Sequence, residues 1–201
     1  MAVTTLALIL GDSHVCWLER FVSSSGIRFG TGSSFVGTDC HFFKFAGFRG
    51  GSVSSVRDDG AVDRLLDLQM PAIVVLCLGG NDVYGSPESV LTVGMRLYEY
   101  AQSLLARGVL HVVVCQIVRR QCVRRYSWED GTQRVVDINE FLKAVCDNER
   151  LSFWYHRGFW QSQRNIFRGD GVHFNDLGNY KLWRSVKGAV FVALKRLGLG
   201  R

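Results

Sequence analysis

Apolar residues gather in five short blocks along the chain: Leu6–Leu10, Phe42–Ala46, Ala72–Leu78, Leu110–Ile117 and Leu151–Tyr155. The third and fourth are nearly unbroken runs of aliphatic and β-branched residues. Such runs predict strands covered on both faces, as in a parallel sheet. Between the blocks, apolar positions recur at helical spacing. Ser86 is placed to cap a helix, with Pro87 at its first position and Glu88 near the positive end of its dipole. Leu91, Met95, Tyr98, Ala101 and Leu105 then predict its inner stripe, and Gly108 its end. A last helix is expected from Asn175 or Asp176 to Gly198, with Leu177, Tyr180, Trp183, Val190, Leu194 and Leu197 on one face. Weaker helical patterns cover 14–22, 55–68 and 134–145. Strands alternating with helices over the whole length predict an α/β sandwich around a mostly parallel sheet. The stretch 23–39, rich in Ser and Gly, reads as a loop bordering a site.

A length of 201 residues fits a single domain spanning 1–201. With 47% hydrophobic and 21% charged residues, disordered and collagen-like classes are excluded. No apolar run approaches the ~20 residues of a membrane helix. The opening Met1–Leu10 has no basic residue, so a secretory signal is not expected. The six cysteines are Cys16, Cys40, Cys77, Cys115, Cys122 and Cys146. They show no Cys-x-x-Cys spacing, and His-Glu-x-x-His does not occur, so no zinc site is expected. Cys77 and Cys115 fall inside strand-like runs, where a free thiol behaves as a small hydrophobe. The expectation is a reduced, cytoplasmic chain.

Charge is uneven. Residues 1–100 hold 7 Lys/Arg against 10 Asp/Glu, whereas 101–201 hold 17 against 8. The basic half suggests an acidic partner such as nucleic acid or an anionic membrane surface, or simply a solvated face. Arg119, Arg120, Arg124 and Arg125 form its densest cluster. Trp128 and Trp160 suit either an acyl-pocket wall or ordinary packing.

Four sites along the chain hold chemistry. The first strand ends in Gly11-Asp12-Ser13-His14. Open α/β sheets place ligands at the carboxyl ends of strands, so Ser13 at a helix start is exposed there, beside the positive helix end. Taken alone it is equally a helix cap. The third strand ends in Gly79-Gly80-Asn81-Asp82, a turn that delivers the Asn81 amide to the same rim. After the second strand, Arg49-Gly50-Gly51-Ser52 offers a bare backbone N–H. Asp170-Gly171-Val172-His173 places a carboxylate within reach of the imidazole Nδ1, which leaves Nε2 to take a proton from a serine. Together they supply a nucleophile, its base, the orienter of that base and oxyanion donors. His14, beside Ser13, is expected to point away from it.

In these blocks the sequence resembles the SGNH, or GDSL, hydrolases. The resemblance implies Ser13 as nucleophile, His173 and Asp170 as the rest of a triad, and Ser13, Gly51 and Asn81 as oxyanion donors. Gly51 is preferred to Gly50 because it directly precedes Ser52. It also implies a three-layer α/β/α sandwich with a five-stranded parallel sheet in the order 2-1-3-4-5. The expected activity is a serine esterase acting on small acyl esters, with no metal or organic cofactor. The run from Asp170 to Lys181 and the opening Leu10–His14 are similar, more narrowly, to the esterase domain of the first-open-reading-frame protein of vertebrate LINE-type retrotransposons. Two other readings stand beside this: a nucleic-acid- or membrane-binding module with an idle triad, and a sugar O-deacetylase.

Overall fold

The computed structural model describes residues 7–25, 43–123, 125–159 and 164–199. Leu6, Phe42, Arg124, Trp160, Cys40 and most of the 23–39 stretch lie outside the described residues. Five strands form one sheet: β1 (Ala7–Gly11), β2 (Phe43–Gly47), β3 (Ile73–Cys77), β4 (His111–Cys115) and β5 (Leu151–Trp154). All neighbours are parallel, and the order is β2-β1-β3-β4-β5, as expected.

Side chains alternate across a strand, and the two faces of this sheet have separate cores. Leu8, Leu10, Val74, Leu76, Val112 and Val114 face one way. They meet α2 (Val53–Arg57), α3 (Gly60–Gln69), α4 (Gly80–Gly85), α5 (Val90–Ala106) and α6 (Trp128–Val145). Ala7, Ile9, Ile73, Val75 and Val113 face the other way, against α1 (Ser13–Ser24) and α7 (Asp176–Arg196). The central strands are buried on both sides, which is why they read as unbroken apolar runs. Each fully buried Val or Leu contributes about 1.5–3 kcal/mol, so the sheet is a firm platform for whatever its ends carry.

The helices depart from expectation in three places. Helix α5 begins after Ser89, whose hydroxyl accepts from Thr92 N at 3.1 Å. Ser86 instead closes a preceding turn by accepting from Glu88 N. The buried stripe of α5 is Val93, Leu97, Tyr100, Ala101 and Leu104, while Leu91 and Met95 are exposed. In α7, Leu177 and Tyr180 are exposed, and Leu182, Trp183, Val186 and Val190 face the core. The 55–68 pattern splits into α2 and α3 at Asp58–Asp59, because Asp59 caps a new helix by accepting from Ala61 N at 2.7 Å. No helix among the described residues is long and apolar enough to cross a membrane.

Candidate active site

Three strand ends and one loop converge on Ser13. Gly11 closes β1 where a side chain has no room: a Cβ there would lie 2.4 Å from the Cys77 carbonyl oxygen and 2.5 Å from Val15 Cγ2. The chain then turns at Asp12, which caps α1, so Ser13 becomes the first helical residue. Its N–H is one of the four that a helix start leaves without an intrahelical acceptor.

The Asp170–His173 turn reaches Ser13 across the top of α1. Asp170 Oδ1 accepts from the backbone N–H of Val172 at 2.8 Å and of His173 at 2.9 Å. Its Oδ2 lies 2.7 Å from His173 Nδ1, and His173 Nε2 lies 3.0 Å from Ser13 Oγ. With a carboxylate on Nδ1, the proton belongs there, and Nε2 presents its lone pair to the Ser13 hydroxyl. Desolvation pushes the Asp170 carboxyl upward, but the hydrogen bonds from the His173 ring and from two backbone N–H groups outweigh it and hold the pKa at about 2. The turn is anchored from a second side. Gln121 N and Cys122 N both donate to the Gly171 carbonyl, at 2.8 and 3.2 Å.

The β3 end supplies Asn81. Gly79 turns the chain at φ +100°, a left-handed conformation that a glycine adopts without strain. Asn81 Nδ2 donates to the Gly51 carbonyl at 3.0 Å, and its Oδ1 accepts from Arg120 Nη2 at 2.8 Å. The guanidinium fixes which end of the amide carries the hydrogens, and one N–H of Nδ2 is left over. The next residue, Asp82, is buried and accepts from Val53 N with both oxygens, at 3.2 and 3.1 Å. Burial pushes its pKa up, with the Val53 N–H opposing that rise. Two adjacent residues therefore bind the β3 turn to the β2–α2 turn.

In that second turn the Gly51 N–H is already donated to the Phe48 carbonyl at 3.0 Å. The preceding Gly50, at φ +68°, has an N–H that meets no acceptor among the described residues. Gly50 is exposed, whereas Gly51 is buried.

Sequence reasoning missed three participants. Arg120 is turned inward, with its guanidinium 5.0 Å from the Tyr84 ring centroid as well as on Asn81. Asp82 ties the two turns together. His14 bridges Asp12 and the Val172 carbonyl. The basic cluster is not one exposed face: Arg119 and Arg120 are half-buried, and Arg125 Nη1 donates to the Gly85 carbonyl at 3.2 Å. Trp128 is exposed at the start of α6. Among the described residues no group of His, Cys, Asp or Glu is arranged to hold a metal ion.

This arrangement can be set beside known proteins. The chain has the α/β fold of the SGNH hydrolases. It superimposes on a GDSL-like lipase from Bacteroides thetaiotaomicron with a TM-score of 0.72 at 16% identity, covering 94% of this chain and 89% of that one. An acetyl esterase solved with an acetate ion gives 0.66 at 14% identity, covering 96% and 99%. A carbohydrate esterase family 3 structure from Talaromyces cellulolyticus gives 0.66 at 15% identity, covering 94% and 98%. At these identities the likeness is one of fold. No protein-family model and no curated protein sequence matches the chain.

Proposed function

We propose that this chain is a serine hydrolase of small carboxylic esters, a single esterase domain over residues 1–201. The observation that carries the reading is the unbroken hydrogen-bonded series from Ser13 Oγ through the His173 ring to Asp170. Ser13 Oγ attacks the acyl carbonyl carbon while its proton passes to His173 Nε2. Asp170 stabilises the imidazolium that forms. The oxyanion is met by the N–H of Ser13, a backbone N–H of the Gly50–Gly51 turn and the remaining N–H of Asn81 Nδ2. Collapse expels the alcohol, which takes the proton from His173. Water, deprotonated by His173, then attacks the acyl-enzyme and releases the acid and the free Ser13 hydroxyl. No step calls for a metal or organic cofactor.

An acetyl or short-chain acyl group is supported by the acetyl and carbohydrate esterases among the structural neighbours. Acetate release from acetylated glycans distinguishes a sugar O-deacetylase from an esterase of simple alcohols. A place within a retrotransposon-encoded protein rests on the sequence run Asp170–Lys181 and on nothing in the fold.

Labelling with a fluorophosphonate probe and mapping of the modified peptide tests the nucleophile. The expected result is one covalent adduct, on Ser13. A folded protein that takes no label at Ser13 overturns the assignment. Asn81→Ala removes one oxyanion donor and is expected to lower kcat on short p-nitrophenyl esters by about 10²–10³-fold with little change in KM.

A further inference from the structure

His14 and His173 both lie beside Ser13, and only His173 has a part in the chemistry above. His14 makes no hydrogen bond to Ser13 Oγ. It spans two segments far apart in sequence. Its Nδ1 lies 3.1 Å from Asp12 Oδ1, and its Nε2 lies 3.0 Å from the carbonyl oxygen of Val172, the residue before His173. Its ring packs on that of Phe174, the residue after His173, with centroids 4.8 Å apart. Both partner oxygens are acceptors with no proton to give. A neutral imidazole can donate to only one of them, and its other nitrogen would turn a lone pair toward an oxygen at that short distance. The imidazolium donates to both, and the Asp12 carboxylate balances its charge.

We propose that His14 is a positioning residue which, as the imidazolium, latches the Asp170–His173 turn to the helix cap beside Ser13. The latch fixes where His173 Nε2 sits relative to Ser13 Oγ. The kinetic part of this inference rests on the esterase reading; the structural part does not.

The surroundings agree. Burial raises the pKa of Asp12, but the charge and hydrogen bonds of His14 and the charge of Arg120 outweigh it and hold the carboxyl below its ordinary range. The other ionisable groups around His14 come from every neighbouring segment. They are His173 in the turn, Cys77 at the end of β3, Arg120 after β4 and His156 after β5. The His173 ring lies 5.9 Å away, centroid to centroid. Buried His156 is driven down to about 4, first by desolvation and then by the charge of His14, so it adds no further cation beside Arg120.

Ring ¹⁵N spectra of the histidine-labelled chain, recorded under the assay conditions, are expected to show a proton on both His14 nitrogens. His14→Gln and His14→Phe should each lower kcat on a short p-nitrophenyl ester by roughly 10²-fold, with KM little changed. A His14 ring that carries a single proton under those conditions overturns the latch. So does a folded His14→Phe that keeps the parental kcat. If the parent turns over no ester at all, the hydrolase reading falls, and the ring spectrum alone decides the latch.

Discussion

Ser13→Ala is expected to lower ester turnover by about 10⁶-fold, and His173→Gln by a similar factor. The two losses should not multiply. The hydroxyl is a weak nucleophile until the imidazole takes its proton, and the imidazole has no task without the hydroxyl. The double variant should therefore be little worse than either single one, keeping the roughly 10³–10⁴-fold advantage over water that binding and the oxyanion donors supply. Initial rates of p-nitrophenyl acetate hydrolysis, measured on proteins shown to be folded by circular dichroism, decide the matter. Turnover by Ser13→Ala at the parental rate would remove Ser13 from the chemistry.

The second large effect belongs to Asp170. Its carboxylate holds the Nδ1 proton of His173, so Asp170→Asn offers the ring an amide that can reverse the tautomer and present an N–H to Ser13. A loss of about 10⁴-fold in kcat is expected. The same substitution separates charge from geometry, since the Asn side-chain oxygen can still accept from the backbone N–H groups of Val172 and His173. Acid behaviour gives a further check. Asp170 has a folded-state pKa of about 2, below the ordinary carboxyl value of 3.8. It stays ionised down to that lower pH, so any loss of activity at milder acidity comes from other groups. Depression of this kind adds stability above the unfolded pKa, which is lost as pH falls through the folded one. Here that contribution is small, because the carboxylate is 45% exposed and solvent screens it. Ionisation of Asp170 should therefore limit kcat/KM only as pH falls to about 2, which a pH–rate profile of the parent checks.

How much of this could be read in the chain depends on how local each signal is. The strands were legible because burial on both faces leaves long aliphatic runs, and Ile73–Cys77 and His111–Cys115 fall inside the expected blocks. The inner face of α5 was not. Leu91 and Met95 form one apolar stripe and Val93, Leu97 and Leu104 another, and only the neighbouring sheet decides which is covered. Two serines, Ser86 and Ser89, offer caps three residues apart, and propensity does not choose between them. Within the site, Ser13, Asp170 and His173 sit in short motifs whose chemistry is visible in a few residues. Arg120 and Asp82 act on partners 39 and 29 positions away. Arg120 reaches Asn81 because β4 lies beside β3, and Asp82 reaches Val53 across β1, which lies between β2 and β3; no local pattern contains these facts of topology. His14 falls between the two cases: its place beside Ser13 is plain in the chain, but its link to Val172 spans 158 positions and leaves no mark in the sequence.

The separations within the triad also bear on how the molecule assembles. Asp170 and His173 are three residues apart and meet inside one turn, so little chain entropy is lost in bringing them together. His173 and Ser13 are separated by 160 positions, nearly the whole polypeptide. The carboxylate–imidazole pair can form early in refolding, whereas its meeting with the hydroxyl must await closure of a loop of 160 positions. Return of Ser13 reactivity during refolding would thus mark the completed sheet, arriving after the helical signal rather than with it.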